Sequence, residues 1–185
     1  MKNIGSRITF LDIKDQTTIV IQPDKNPLVN AMMGAWLAMW LVIGITLFWS
    51  LLYFNLSKQE KIIIYIFFVF WFYYAFKVFK AFIWLMFGKE LLKIDNLALN
   101  YKKSIFNYGK STPYYLENIT KFSLTLPKVK SIHAVWDASP WVIGGERFHF
   151  EYFSKVIYFG RKIPEAEAKL LFQLINKRIQ ERLKK

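Results

Sequence analysis

From Asn26 to Ser57 the chain runs thirty-two residues without a charged side chain, and a second apolar run opens at Ile62. A bilayer core about 30 Å thick is crossed by roughly 20 helical residues, so the first run is long enough with several to spare. The segment between the runs, Ser57-Lys58-Gln59-Glu60-Lys61, is too short for anything but a tight reversal. This pattern predicts a transmembrane helical hairpin over residues 28–87, with spans near 28–54 and 62–84. A hairpin returns both flanks of the chain to one side of the membrane. The first run far exceeds the apolar core of about 7–15 residues in a cleavable signal. Polar residues including Asp12, Asp15 and Asp24 precede it, so it is expected to be a retained span.

Charge sets the expected orientation. The chain carries a formal net charge of +13. Residues 88–185 hold 18 Lys and Arg against 9 Asp and Glu, residues 1–27 hold four against three, and the loop holds two lysines and one glutamate. Basic flanks stay on the cytoplasmic side, which assigns both termini to the cytoplasm and the short loop to the outside. Lys77 and Lys80 share a helix face late in the second span. They are expected to snorkel to cytoplasmic headgroups, the competing reading being that they line a polar path at depth. In the first span, Gly34 and Ala38 offer a small-residue face to the second span or to a partner. Trp36, Trp40 and Trp49 are assigned to interfacial belts near the span ends.

The flanks read as β-rich. Residues 7–22 place two β-forming runs around a polar centre at Asp12–Gln16, which predicts a cytoplasmic N-terminal hairpin within residues 1–27, free to pack on the C-terminal domain. After Gly88 the period changes to two. Leu92 and Ile94 share a face, then Leu97, Leu99, Tyr101 and Ile105, with Lys103 the exception on the apolar side. Tyr114 to Leu124 reads as a third strand, irregular around Glu117-Asn118; Phe148, Phe150 and Tyr152 alternate with Arg147, His149 and Glu151; and a turn at Phe153 to Lys155 leads into a strand over 156–159. A helix over 164–183 closes the chain. Pro164, Glu165 and Glu167 suit its start, and Leu170, Leu171, Leu174, Ile175 and Ile179 supply its apolar face. The expected class is an α+β membrane protein: a two-helix hairpin plus an antiparallel β domain, residues 88–185, closed by an amphipathic helix.

Two stretches carry a resemblance. Gly88 to Asp95, GKELLKID, passes from the second span directly into a strand, and Tyr158 to Ala168, YFGRKIPEAEA, makes a strand-to-helix junction. In this the chain resembles bacterial membrane-anchored pleckstrin-homology-like (PH-like) proteins of two-span type. The stretch IQPDKN from Ile21 to Asn26, ahead of Trp36 and Trp40, is similar to the start of uncharacterised bacterial proteins of this build. More distantly, two spans followed by a β-rich domain resembles photosystem I assembly proteins. The resemblance implies a binding or scaffolding role at a bacterial cytoplasmic (inner) membrane and carries over no catalytic residue. It implies no phosphoinositide ligand, because fold does not transmit ligand.

Little in the chain points to catalysis. No cysteine is present, which removes disulfides and thiolate chemistry, and two histidines, His133 and His149, cannot build a histidine-rich metal site. No metal and no cofactor is expected. His133 and Asp137, with Glu146, would be the polar groups of a lipid-modifying enzyme should they converge; a non-enzymatic role is the leading expectation. Basic residues are the better signal. Arg147, Lys155, Arg161 and Lys162 lie around one predicted hairpin, and Lys102, Lys103 and Lys110 on another. Beside an anionic leaflet each Lys or Arg at the surface is worth about 1 kcal/mol, so these residues with Lys77 and Lys80 are candidates for membrane-surface or anion binding. Trp136 and Trp141 are candidate partner-interface residues with Gly34 and Ala38. The expected partners are the lipid bilayer and another membrane protein, with a second copy of the chain a further candidate. Nucleic acid is not expected, for no motif accompanies the charge. The alternative role is an accessory subunit or assembly factor of a larger membrane complex.

Overall fold

The computed structural model describes residues 1–127, 135 and 139–184. The chain divides into two compact units, one of Met1–Asp24, Phe87–Ser139 and Ile143–Lys185, the other of Lys25–Met86 with Pro140–Val142.

The second unit is built on two long helices, α1 (Pro27–Tyr53) and α2 (Lys58–Phe87). Asn26 caps α1, its side chain accepting from the backbone N–H of Leu28 at 3.0 Å and of Val29 at 3.4 Å, and Pro27 stands where no N–H is needed. Ser57 and Glu60 form a reciprocal capping box at the start of α2: Glu60 N–H donates to Ser57 Oγ at 3.3 Å, and Ser57 N–H to Glu60 Oε2 at 2.7 Å. The reversal is therefore tighter than the sequence pattern implies, for Lys58 to Lys61 form the first turn of α2 and only residues 54–57 connect the helices.

Both helices are long and apolar enough to cross a membrane, and only 11% of the most apolar window of each is buried. Between them, Met33, Leu37, Val78 and Ala81 make a small core, with Trp36, Phe82, Leu85 and Trp141 packed around it. The tryptophans of this pair correct one expectation. Trp40 sits mid-helix, and its indole Nε1 donates to the Trp71 carbonyl at 3.2 Å while Trp71 Nε1 donates to the Trp40 carbonyl at 2.8 Å. The Trp71 ring lies against Gly44, where a Cβ would come within 2.2 Å of it. An indole N–H at such a position must find an acceptor within the protein, and the opposite backbone supplies it.

The described residues of the first unit hold nine strands in two antiparallel sheets. The larger has the order β1 (Lys2–Ile4), β2 (Ile8–Ile13), β3 (Gln16–Ile21), β4 (Gly88–Ile94), β5 (Ala98–Ile105) and β6 (Ser111–Tyr115). The smaller is β7 (Ile119–Leu124), β8 (Glu146–Tyr152) and β9 (Lys155–Arg161). A 3₁₀ turn at Leu116–Asn118 carries the chain from one sheet to the other, so the single strand expected over 114–124 is two strands in different sheets. The N-terminal segment is three strands where the pattern predicts two. It does not stand apart from residues 88–185: β3 pairs with β4 from Thr17↔Ile94 to Ile21↔Glu90. The helix pair is thus an insertion between two hydrogen-bonded strands.

Helix α3 (Glu165–Leu183) closes the core with Ala168, Leu171, Ile175 and Ile179. Leu170, assigned to that face from the sequence, is 55% exposed. Arg178 bonds Asp12, and Arg182 donates to the Lys14 carbonyl at 2.9 Å, fastening α3 to the β2–β3 turn. Phe148, Phe150 and Phe159 are fully buried beneath it.

One backbone position is especially demanding. Gly160 has φ of +76°, and a Cβ there would lie 2.3 Å from the Phe148 ring. Strain in that region and overpacking each cost about 1–3 kcal/mol. Gly160→Ala is therefore expected to destabilise the protein by roughly 3 kcal/mol, read as a lowered denaturation midpoint of the full chain in detergent.

Candidate functional site

Strand alternation brings charges to the inner ends of both sheets. On β4 the inward residues are Glu90, Leu92 and Ile94, and on β5 Leu99 and Tyr101, with Lys103 on the same parity at the exposed end; Glu90 stands opposite Lys103 and Leu92 opposite Tyr101. On β8 the inward residues are Glu146, Phe148 and Phe150, and Glu146 stands opposite Arg161 of β9. Each sheet thus contributes one cross-strand acid–base pair. Arg161 Nε donates to Glu146 at 2.9 Å, and Lys103 Nζ lies 3.9 Å from the same carboxylate.

Glu90 is the centre of this arrangement and is 1% exposed. Its carboxylate accepts from Tyr101 OH at 3.1 Å, from Gly160 N–H at 2.7 Å and from Arg161 N–H at 3.4 Å. Burying a charge costs several kcal/mol unless its lone pairs are satisfied, and here three donors satisfy them. Two of those donors belong to β9, so Glu90 joins the two sheets through a side chain where no backbone ladder exists. Burial and then the adjacent Glu90 push the Tyr101 phenol well above its ordinary value, so it remains a donor. Burial, with Arg161 beside it, lowers the Lys103 ammonium. Arg7 sits nearby and is lowered by burial, opposed by Asp24, Glu167 and Glu90. It donates to the carbonyls of Gln22 at 3.0 Å, Lys162 at 2.6 Å and Arg161 at 3.2 Å.

Outside this network a cleft of about 530 Å³ opens between the edge strands β6 and β9. Tyr101, Lys103, Lys110, Thr112 and Tyr114 line one side, and Glu146, Val156, Ile157 and Tyr158 the other. It offers two ammonium groups, three tyrosines and one carboxylate already engaged by Arg161. Among the described residues no cluster of three His, Asp or Glu side chains is placed to hold a metal.

The sequence-predicted cations are distributed unevenly. Lys103 and Arg161 meet at Glu146, with Lys110 along the same cleft. Lys102, one residue from Lys103 and so on the opposite face of β5, donates to the Asn107 carbonyl at 3.0 Å. Arg147 Nε donates to the Ile163 carbonyl at 3.1 Å, Lys162 Nζ to the Ser139 carbonyl, and Lys155 is exposed at the β8–β9 turn. Lys77 and Lys80 belong to the helical unit, both exposed, with Lys77 Nζ 4.5 Å from the centre of the Tyr73 ring. Gly34 faces Phe82 of α2, whereas Ala38 is exposed. Trp141 packs edge-on against Trp36 at 5.5 Å. His133, Trp136 and Asp137 lie outside the described residues.

Sequence reading missed Glu90 and Arg7. Glu90 did leave a signal, being a charged residue on the apolar parity of GKELLKI. Nothing local marks Arg7, whose partners are carbonyls up to 155 positions away.

Removing the Glu90 carboxylate leaves buried donors unpaired at about 1–3 kcal/mol each. Glu90→Ala is expected to cost about 3 kcal/mol or more, measured by chemical denaturation. Lys103 gives a pH signature. Its folded-state value lies below the 10.5 of the unfolded chain, so the folded state binds fewer protons between the two. Stability from this group therefore rises with pH through that alkaline window, and Lys103→Met should remove the rise in pH-resolved unfolding curves.

Comparison of the chain with protein-family models, with curated proteins and with solved structures finds no match. Its function is read from the geometry.

Proposed function

We propose that the protein is a non-enzymatic binding module of a bacterial cytoplasmic membrane. In this reading α1 and α2 cross the bilayer as a hairpin, both termini are cytoplasmic, and the β unit is a PH-like domain that holds a partner at the membrane. The observation that carries it is the pair of all-round apolar helices, 11% buried in their most apolar windows, inserted between the paired strands β3 and β4. A helix that is apolar on every side must be covered, and lipid covers both at once. The β3–β4 ladder supports a common side for the two flanks, and the basic excess of residues 88–185 supports the cytoplasm as that side.

The lysines of α2 fit this placement. Counting roughly 20 residues of hydrocarbon from Ile62 ends the layer near residue 81, with Lys77 about one turn inside and Lys80 at its edge. Glu60, at the far end of the pair, is the lone acidic residue between 25 and 86, so these ammonium groups draw their counter-charge from headgroups, the snorkelling arrangement. Two antiparallel sheets closed by a C-terminal helix support the PH-like reading, with three additional N-terminal strands as a departure.

The chain contains no cysteine, so single cysteines report topology without background. An impermeant maleimide applied to intact cells is expected to label Asn55→Cys, and to label Asp15→Cys and Gln180→Cys only after permeabilisation. Labelling of the two end positions from opposite sides would refute the hairpin, and labelling of Asn55→Cys only after lysis would refute its cytoplasmic orientation.

A further inference from the structure

We propose that the outer edge of β9 is a docking strand that takes a short, extended, acidic peptide segment of a partner protein into the cleft beside β6. The argument starts from hydrogen-bond parity. The two-residue turn Phe153–Ser154, both residues with positive φ, makes Tyr152↔Lys155 a hydrogen-bonded pair. Bonding pairs then alternate, so Ile157 and Phe159 serve β8, while Val156, Tyr158 and Gly160 turn their N–H groups outward; at the positive φ of Gly160 the alternation ends, and Arg161 N–H also goes to Glu90. Gly160 N–H goes to Glu90, as this parity requires. Glu90 therefore closes one end of the edge, and Val156 and Tyr158 remain with outward backbone groups that no backbone bond of the described residues uses. Both line the cleft.

The facing strand cannot be the template. Ile105 and Tyr108 exchange both backbone bonds at 2.9 Å, and the register continues from there, so Thr112 and Tyr114 bond β5 while Ser111, Pro113 and Tyr115 face outward. Pro113 has no N–H to offer at the middle of that edge, a common way of blunting a strand against pairing. The pairing side is thus β9 and the β6 side supplies side chains. The cleft volume falls within the roughly 300–1,000 Å³ typical of ligand sites. Charge selects the occupant. Lys103 and Lys110 line the cleft; of the carboxylates near Lys103, Glu90 accepts from three other donors, and Glu146 is 1 Å closer to Arg161, at 2.9 Å against 3.9 Å. An incoming carboxylate would complete the compensation of Lys103, and Tyr158 and Tyr114 offer apolar faces to the alternate side chains of a strand.

This deepens the binding role proposed above and rests on it, yet peptide binding and helix insertion are read separately: labelling of Asn55→Cys reports insertion whatever the cleft holds. The test uses the full chain in phosphatidylcholine nanodiscs and a capped, fluorescent heptapeptide of alternating valine and glutamate, followed by anisotropy. Saturable binding is expected, weakened about fivefold or more by Lys103→Gln and about tenfold by Val156→Pro, which deletes an outward N–H and no bond to β8. Val156→Thr, which keeps the N–H, should bind like the parent. An N-methylated heptapeptide should fail to bind, and this carries the test if Val156→Pro does not fold. Equal binding of a valine–lysine heptapeptide, equal binding of the N-methylated peptide, displacement by inorganic phosphate at equal concentration, or no saturable binding would each overturn the proposal.

Discussion

The β3–β4 ladder is the constraint from which the architecture follows. Five residue pairs join the segment before the helix pair to the segment after it. That ladder makes one sheet of strands separated by the helix pair and its short flanks, residues 22–87, and it fixes where the chain leaves and where it returns. Glu90 lies at the end of the same ladder, opposite Ile21. From there it reaches the second sheet, so the pairing that closes the insertion also positions the carboxylate that joins the sheets. Local preference alone would not hold such a long-range arrangement, because closing a loop of this length costs conformational entropy before any contact repays it. The fully buried core of Ile8, Ile19, Leu92, Ile94 and Leu99 along the same strands supplies the compensation.

The meeting of the two sheets divides into a closed and an open part. In the closed part, charged groups are paired and bonded: Glu90 with three donors, and Glu146 with Arg161. A buried acid–base network gains little net stability over apolar packing, but a half-satisfied one is costly. This network therefore acts mainly as a register device, since slipping β9 by one residue would turn Gly160 N–H away from Glu90 and Arg161 away from Glu146. In the open part a cleft separates the two edges, one blunted by Pro113 and the other unpaired by backbone at Val156 and Tyr158 among the described residues. The two edges thus differ in what their backbones present to the cleft, β6 lacking an N–H at Pro113 and β9 keeping one at Val156 and at Tyr158.

The helices were legible because their signal is compositional: thirty-two uncharged residues need no tertiary information to interpret. Alternation on β4, β5 and β8 was equally readable, and Lys103 stood out as a charge on an apolar parity. The break between β6 and β7 shows in the sequence only as an irregularity around Glu117-Asn118, because a 3₁₀ turn of Leu116, Glu117 and Asn118 carries no glycine or proline to mark a change of sheet. The roles of the cations were not legible either. Arg147 and Lys162 look like free surface charge in the sequence, yet each donates to a carbonyl more than fifteen residues away. The sequence points Trp40 to a span end because a tryptophan's preference for the headgroup region is general, whereas a bond to a facing carbonyl depends on a partner that only the folded pair reveals.

That bond has a mechanical consequence. The two indoles are tied to each other's backbone at one level, near the middle of both helices. Sliding one helix past the other by a single turn, about 5.4 Å, would break both ties together and drive the Trp71 ring off the groove at Gly44. Splaying the ends apart about that level stretches neither tie much. The pair is consequently stiff as a piston and compliant as a pair of scissors, with its pivot at Trp40 and Trp71.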